Sequence, residues 1–67
     1  MEGKLFNEVR LSDAVDFIYS FVHGDNDSKW LRAEKSAEIE EWLTIGDCEG
    51  MTLRELAEEW LEHEQDN

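Results

Sequence analysis

The sequence has few basic residues. Six lysines and arginines stand against eighteen aspartates and glutamates, a formal net charge of −12. A field of that sign repels nucleic acid and anionic membrane surfaces and attracts basic protein surfaces. Direct binding to either anionic partner is therefore not expected. Cysteine is almost absent. Cys48 is the single thiol, so no internal disulfide can form, and a lone thiol suits a reducing, cytoplasmic setting. Long apolar runs are missing too. The longest, Phe17-Ile18-Tyr19, is far short of the roughly 20 residues that cross a bilayer, and the opening MEGKLFNEVR lacks the apolar stretch of a signal peptide.

Soft metal ligands are equally scarce. Cys48, His23 and His63 are scattered without paired spacing, which does not support structural zinc. The stretch DNDSKWLRAEKS opens like a calcium loop with Asp25 and Asp27. It places Trp30 and Ser36 where an EF-hand requires glycine and glutamate. DCEGMTLRELAE, from Asp47, fails because its glycine falls at the fourth position rather than the sixth. Cys48 with a histidine would make a nucleophile and base only if a third group oriented them, and no such motif is present. The expectations are no cofactor, no metal and no enzymatic activity.

Apolar residues, by contrast, are well supplied. Hydrophobic residues make up 40% of the chain, which argues against intrinsic disorder despite the charge. Sixty-seven residues make one small acidic domain, residues 1–67, with a modest core. The apolar supply exceeds what so small a monomer readily hides, which makes a homodimer one expectation.

The pattern of those residues predicts a mainly α, three-helix domain with a short N-terminal extended arm or strand. The alternative is an α+β fold with a small sheet. In KLFNEVRL, residues 4–11, Leu5, Val9 and Leu11 share strand parity, with Asn7 interrupting. Residues 12–23 form the first helix. Ser12 or Asp13 would cap it, Gly24 would end it, and Ala14, Phe17, Ile18, Phe21 and Val22 follow helical spacing. The alternation of Val15, Phe17, Tyr19 and Phe21 is the strand rival. GDNDS is a turn, and Ser28 caps a second helix. Trp30, Ala33 and Ala37 lie on one side of that helix, with Ile39, Trp42 and Leu43 nearly opposite, so either the helix is buried on two faces or, as expected here, it breaks or bends near Lys35-Ser36. TIGDCEG is a loop. The third helix is the clearest element. Thr52 and Glu55 form a capping box, and Met51 and Leu56 a hydrophobic staple. Leu53, Leu56, Ala57, Trp60 and Leu61 make one amphipathic stripe. EHEQDN is read as a fraying acidic tail.

The stretch MTLRELAEEW, with Thr52, Glu55 and Ala57 in T-x-x-E-x-A spacing, resembles the second helical segment of helix-turn-helix regulators. That resemblance implies DNA binding, which the negative charge opposes.

The acid is unevenly placed. Residues 1–33 carry six acids and four bases, and residues 34–67 twelve acids and two bases, so the net charges are −2 and −10. Glu55, Glu58, Glu59 and Glu62 recur at spacings of three and four on the solvent side of the third helix. Like charges at that spacing cost a helix about 0.2–0.5 kcal/mol per pair. A helix selected for stability alone would interleave lysines. The row therefore predicts a surface kept for a basic partner, formed by Glu34, Glu38, Glu41, Asp47, Glu49, Glu55, Glu58, Glu59 and Glu62. Four helical residues rise about 6 Å, and two steps along a DNA strand about 6.8 Å. Carboxylates in such a row can stand in for phosphates. The expected function is an acidic binding protein that occupies the nucleic-acid-binding surface of a basic protein, in the manner of the DNA-mimic inhibitors encoded by phages and mobile elements. The alternative is an interaction module that binds through exposed aromatic surface, with the acid serving solubility.

Overall fold

The computed structural model describes residues 3–24, 28–46 and 48–65. It contains three α-helices, α1 (Leu11–His23), α2 (Lys29–Ile45) and α3 (Leu53–Gln65), preceded by a 3-10 turn at Phe6–Glu8. Helix α1 packs against both α2 and α3. The shared core is Ala14, Val15, Ile18 and Tyr19 from α1, Ile39 and Leu43 from α2, Cys48 from the connecting loop, and Leu53, Leu56, Ala57 and Trp60 from α3.

There is no sheet among the described residues. The expected N-terminal strand is reduced to one antiparallel bridge, Leu5 with Thr52, in which Phe6 N–H donates to the Met51 carbonyl and Leu53 N–H to the Lys4 carbonyl, each at 2.9 Å. The chain then turns at once. Glu8 reaches back to accept the Leu5 N–H at 2.9 Å, and Glu8 N–H donates to the Leu5 carbonyl. That local alternative to a ladder ends the pairing. Phe6, which is out of parity with Leu5 and Val9, packs against the core beside Val9.

Helix α1 starts one residue before the expected caps. Arg10 is its N-cap and makes no side-chain cap bond. Ser12 and Asp13 lie in the first turn, where the Asp13 carboxylate faces the positive end of the helix dipole. Gly24 ends the helix as expected, donating to the Ser20 carbonyl at 2.8 Å with φ 63° and ψ −137°, a backbone region in which L side chains are strained. The buried face is Ala14-Val15-Ile18-Tyr19. It is rotated from the expected stripe. Phe21 is exposed, Phe17 is half-buried, and Val15 and Tyr19, which suggested a strand, are in the core.

Helix α2 is capped by the Ser28 hydroxyl, which accepts from Leu31 N–H at 3.2 Å. It runs continuously through Lys35-Ser36, so the helix is not broken there. The two apolar sides are reconciled differently. Ile39 and Leu43 enter the core, while Trp30, Ala33 and Ala37 face solvent, Trp30 at 75% exposure. The helix closes where Gly46 N–H donates to the Trp42 carbonyl at 3.0 Å, and a Cβ at Gly46 would sit tightly, 3.0 Å from that same carbonyl oxygen.

One half of the expected capping box is present at the start of α3: the Thr52 hydroxyl accepts from Glu55 N–H at 3.2 Å, and Leu53, Leu56, Ala57 and Trp60 are buried. Leu61 is only half-buried, and the helix continues through Glu62–Gln65, where a fraying tail was expected.

Candidate interaction surface

Every predicted site residue that is described is exposed. Glu34, Glu38 and Glu41 lie on α2, Glu49 in the loop, and Glu55, Glu58, Glu59 and Glu62 on α3. Asp47 lies outside the described residues. The structure gathers most of them into two groups rather than one continuous sheet of charge. Glu55, Glu58, Glu59 and Glu62 surround a shallow concavity with Met51 and Leu61. Glu38 and Glu41 edge a second groove, between α2 and α3, lined by Trp42, Ile45, Trp60 and His63. Glu34 is one turn from Glu38, and neither Glu34 nor Glu49 lines either concavity.

Neutralisation within the α3 row is slight. Arg54 Nε donates to Glu58 at 3.1 Å, an i,i+4 pair more than half exposed on both sides. Glu55, Glu59 and Glu62 have no ion pair among the described residues. Glu55 lies in the first turn, where the helix dipole favours an anion. Glu62 and Glu64 lie in the last turns, where it does not, and His63 is the sole basic residue type there. Both the spacing and the C-terminal placement of the acids work against α3 as a helix.

The pairs between α2 and α3 were not foreseen. Lys35 Nζ lies 3.3 Å from Glu38 on its own helix and 3.3 Å from Glu64 on α3, with its side chain 24% exposed. Burial pushes the Lys35 ammonium towards the neutral form. Hydrogen bonds and charge attraction from Glu38 and Glu64 outweigh it, so its pKa stands above the ordinary lysine value. The i,i+3 relation of Lys35 to Glu38 was visible in the sequence, but the reach to Glu64 depends on how the helices pack. Beside this clamp the aromatic rings form a chain. Trp42 and Trp60 have centroids 5.3 Å apart, and Trp60 and His63 stack at 4.9 Å. Trp60 is 3% exposed, and its indole Nε1 has no hydrogen-bond partner among the described residues.

Cys48 is in the core rather than on the loop surface, its Sγ 3.9 Å from the Leu43 carbonyl. Among the described residues no group of three or more histidine, cysteine or acidic side chains could hold a metal ion, and no helix is long and apolar enough to cross a membrane. The arrangement offers exposed carboxylates at fixed helical spacing, and next to them an aromatic groove with an acidic edge. No protein-family model, no curated protein and no solved structure matches this chain.

Proposed function

We propose that this protein works by binding, and that its acidic face occupies the basic, nucleic-acid-binding surface of a partner protein, as a DNA-mimic inhibitor does. One observation carries the reading. Glu55, Glu59 and Glu62 stand exposed on one side of a well-packed helix, without countercharges among the described residues, at a cost to that helix. Packing gives no reason for them, since the core lies on the opposite side of α3. A rigid helix holds Glu55 and Glu59 about 6 Å apart along its axis, close to the roughly 6.8 Å between alternate phosphates of a strand.

The test uses the partner recovered from lysate at low salt, together with a Glu55→Gln, Glu59→Gln, Glu62→Gln triple variant. Glutamine keeps helix propensity and removes three repelling charges, so the fold should be kept or slightly stabilised while partner binding falls. Each exposed pair contributes only about 0.2–1 kcal/mol, so single changes should be nearly silent. Duplex DNA should displace the protein from its partner. Undiminished binding by the triple variant, with no competition from DNA, defeats the proposal.

A second reading has its own support. Trp30 and Ile45 are 75% and 79% exposed, which favours binding through apolar surface. Ionic strength separates the two, because charge-led binding weakens as salt rises and apolar binding does not.

A further inference from the structure

The groove between α2 and α3 has a composition that a carboxylate row alone lacks. Its floor is aromatic, with Trp42 half-buried over Trp60. Its α2 side is a single helical stripe on which Glu38, Glu41, Trp42 and the exposed Ile45 follow one another at i, i+3, i+4 and i+7. Glu38 already shares Lys35, whereas Glu41 has no ion pair among the described residues. At about 270 Å³ the groove falls below the ~300–1,000 Å³ of small-molecule pockets, so its scale is that of a side chain.

We infer that this groove is a receptor for an arginine side chain of the basic partner. The inference rests on the acidic-face reading above. A guanidinium is planar, weakly hydrated and suited to stacking on an indole face. Its fork of N–H donors matches a single carboxylate, here Glu41. The aliphatic stem of the same residue covers Ile45. Lysine satisfies the charge but not the plane, because its ammonium is compact and strongly hydrated. The α3 row responds to positive charge of either kind, and the groove distinguishes one kind from the other.

The experiment titrates the intact protein with two synthetic peptides, one alternating arginine with glycine and serine, the other lysine in the same positions. Affinity is read by calorimetry and the tryptophan indole N–H signals by NMR. The arginine peptide should bind about two- to fivefold more tightly, the range a half-exposed cation–π contact supports. Its addition should shift indole signals that the lysine peptide leaves in place. Glu41→Gln and Ile45→Lys, both at exposed positions, should bring the affinity ratio to near one. The Glu55, Glu59, Glu62 triple variant should weaken both peptides alike and leave the ratio unchanged. Equal affinity of the parent for the two peptides overturns the inference while leaving the acidic-face reading in place. A preference that survives Glu41→Gln and Ile45→Lys also overturns it. If neither peptide binds at low salt, the broader reading falls and the inference falls with it.

Discussion

Trp60 and Trp30 are the same residue type in opposite surroundings, and replacing each with alanine separates packing from composition. Trp60 is 3% exposed and Trp30 is 75% exposed. A buried tryptophan removes about 150–250 Å² from water, which at ~25 cal/mol per Å² is roughly 4–6 kcal/mol. Two corrections reduce that figure. The unfolded chain already hides some apolar area. The indole N–H of Trp60 has no partner among the described residues, so deleting it also removes a desolvation penalty of about 1–3 kcal/mol. The expected loss for Trp60→Ala is thus near 3 kcal/mol, the lower end of aromatic truncations. A chain of this length has about 3–10 kcal/mol in total, so the variant should be largely unfolded or should melt tens of degrees below the parent. Trp30→Ala should change stability by no more than about 0.5 kcal/mol, as exposed substitutions do. Far-UV circular dichroism with thermal and urea melts measures both. Equal melting of the two variants, or a larger loss at Trp30, would refute the packing of α3 and the solvent-facing side of α2 together.

Three further outcomes are expected. Lys35→Met should cost about 1 kcal/mol or less near neutral pH, since its pairs are partly exposed. Its folded-state pKa lies above the ordinary value of 10.5, so its contribution is complete below that value and is lost as pH rises through the folded pKa. Urea melts at pH 7 and above 11 should show the gap between parent and variant narrowing, and a constant gap would dismiss the clamp to Glu64. Gly24→Ala meets no steric neighbour but must hold φ 63° and ψ −137°, so a loss of roughly 1–3 kcal/mol is expected from backbone strain alone, and an unchanged melting temperature would contradict the helix end. Raising sodium chloride to 0.5 M should raise the melting temperature, because at −12 screened repulsion outweighs the few screened attractions; a fall would mean the ion pairs dominate.

The sequence showed α3 more clearly than the rest because several independent signals coincide there: the cap at Thr52, one continuous stripe and acids opposite it. In α1 the helix was legible but its orientation was not. Aromatic residues occupy most of its faces, so periodicity could not decide that Tyr19 is buried and Phe21 exposed. Helix α2 misled for a physical reason. Apolar periodicity reports which residues are greasy, not how many neighbours the helix has. With α1 and α3 both meeting the Ile39 and Leu43 side, Trp30 was left in water and no break was required. The α3 row was legible because it lies on a single helix. The groove was not, since it joins Glu41, Trp42 and Ile45 to Trp60 across a packing contact that no local pattern encodes.

The bridge between Leu5 and Thr52 bears on the order in which the molecule assembles. Leu53 N–H, the first amide of the last helix, donates to the carbonyl of Lys4, near the opposite end of the chain. During synthesis the acceptor emerges first and waits until Leu53 has been made. Most small helical proteins assemble from neighbours in sequence, which is why they fold fast. This one must close the loop from Lys4 to Leu53 to complete the start of α3. The amide of Leu53 therefore acts as a reporter of that closure. If its protection from hydrogen exchange matches that of the core amides of Ile18 and Leu56, the first few residues belong to the same cooperative unit as the helices. If it exchanges early, the N-terminal segment opens and closes on its own, as a separate unit of lower stability, and α3 alternately gains and loses its first hydrogen bond.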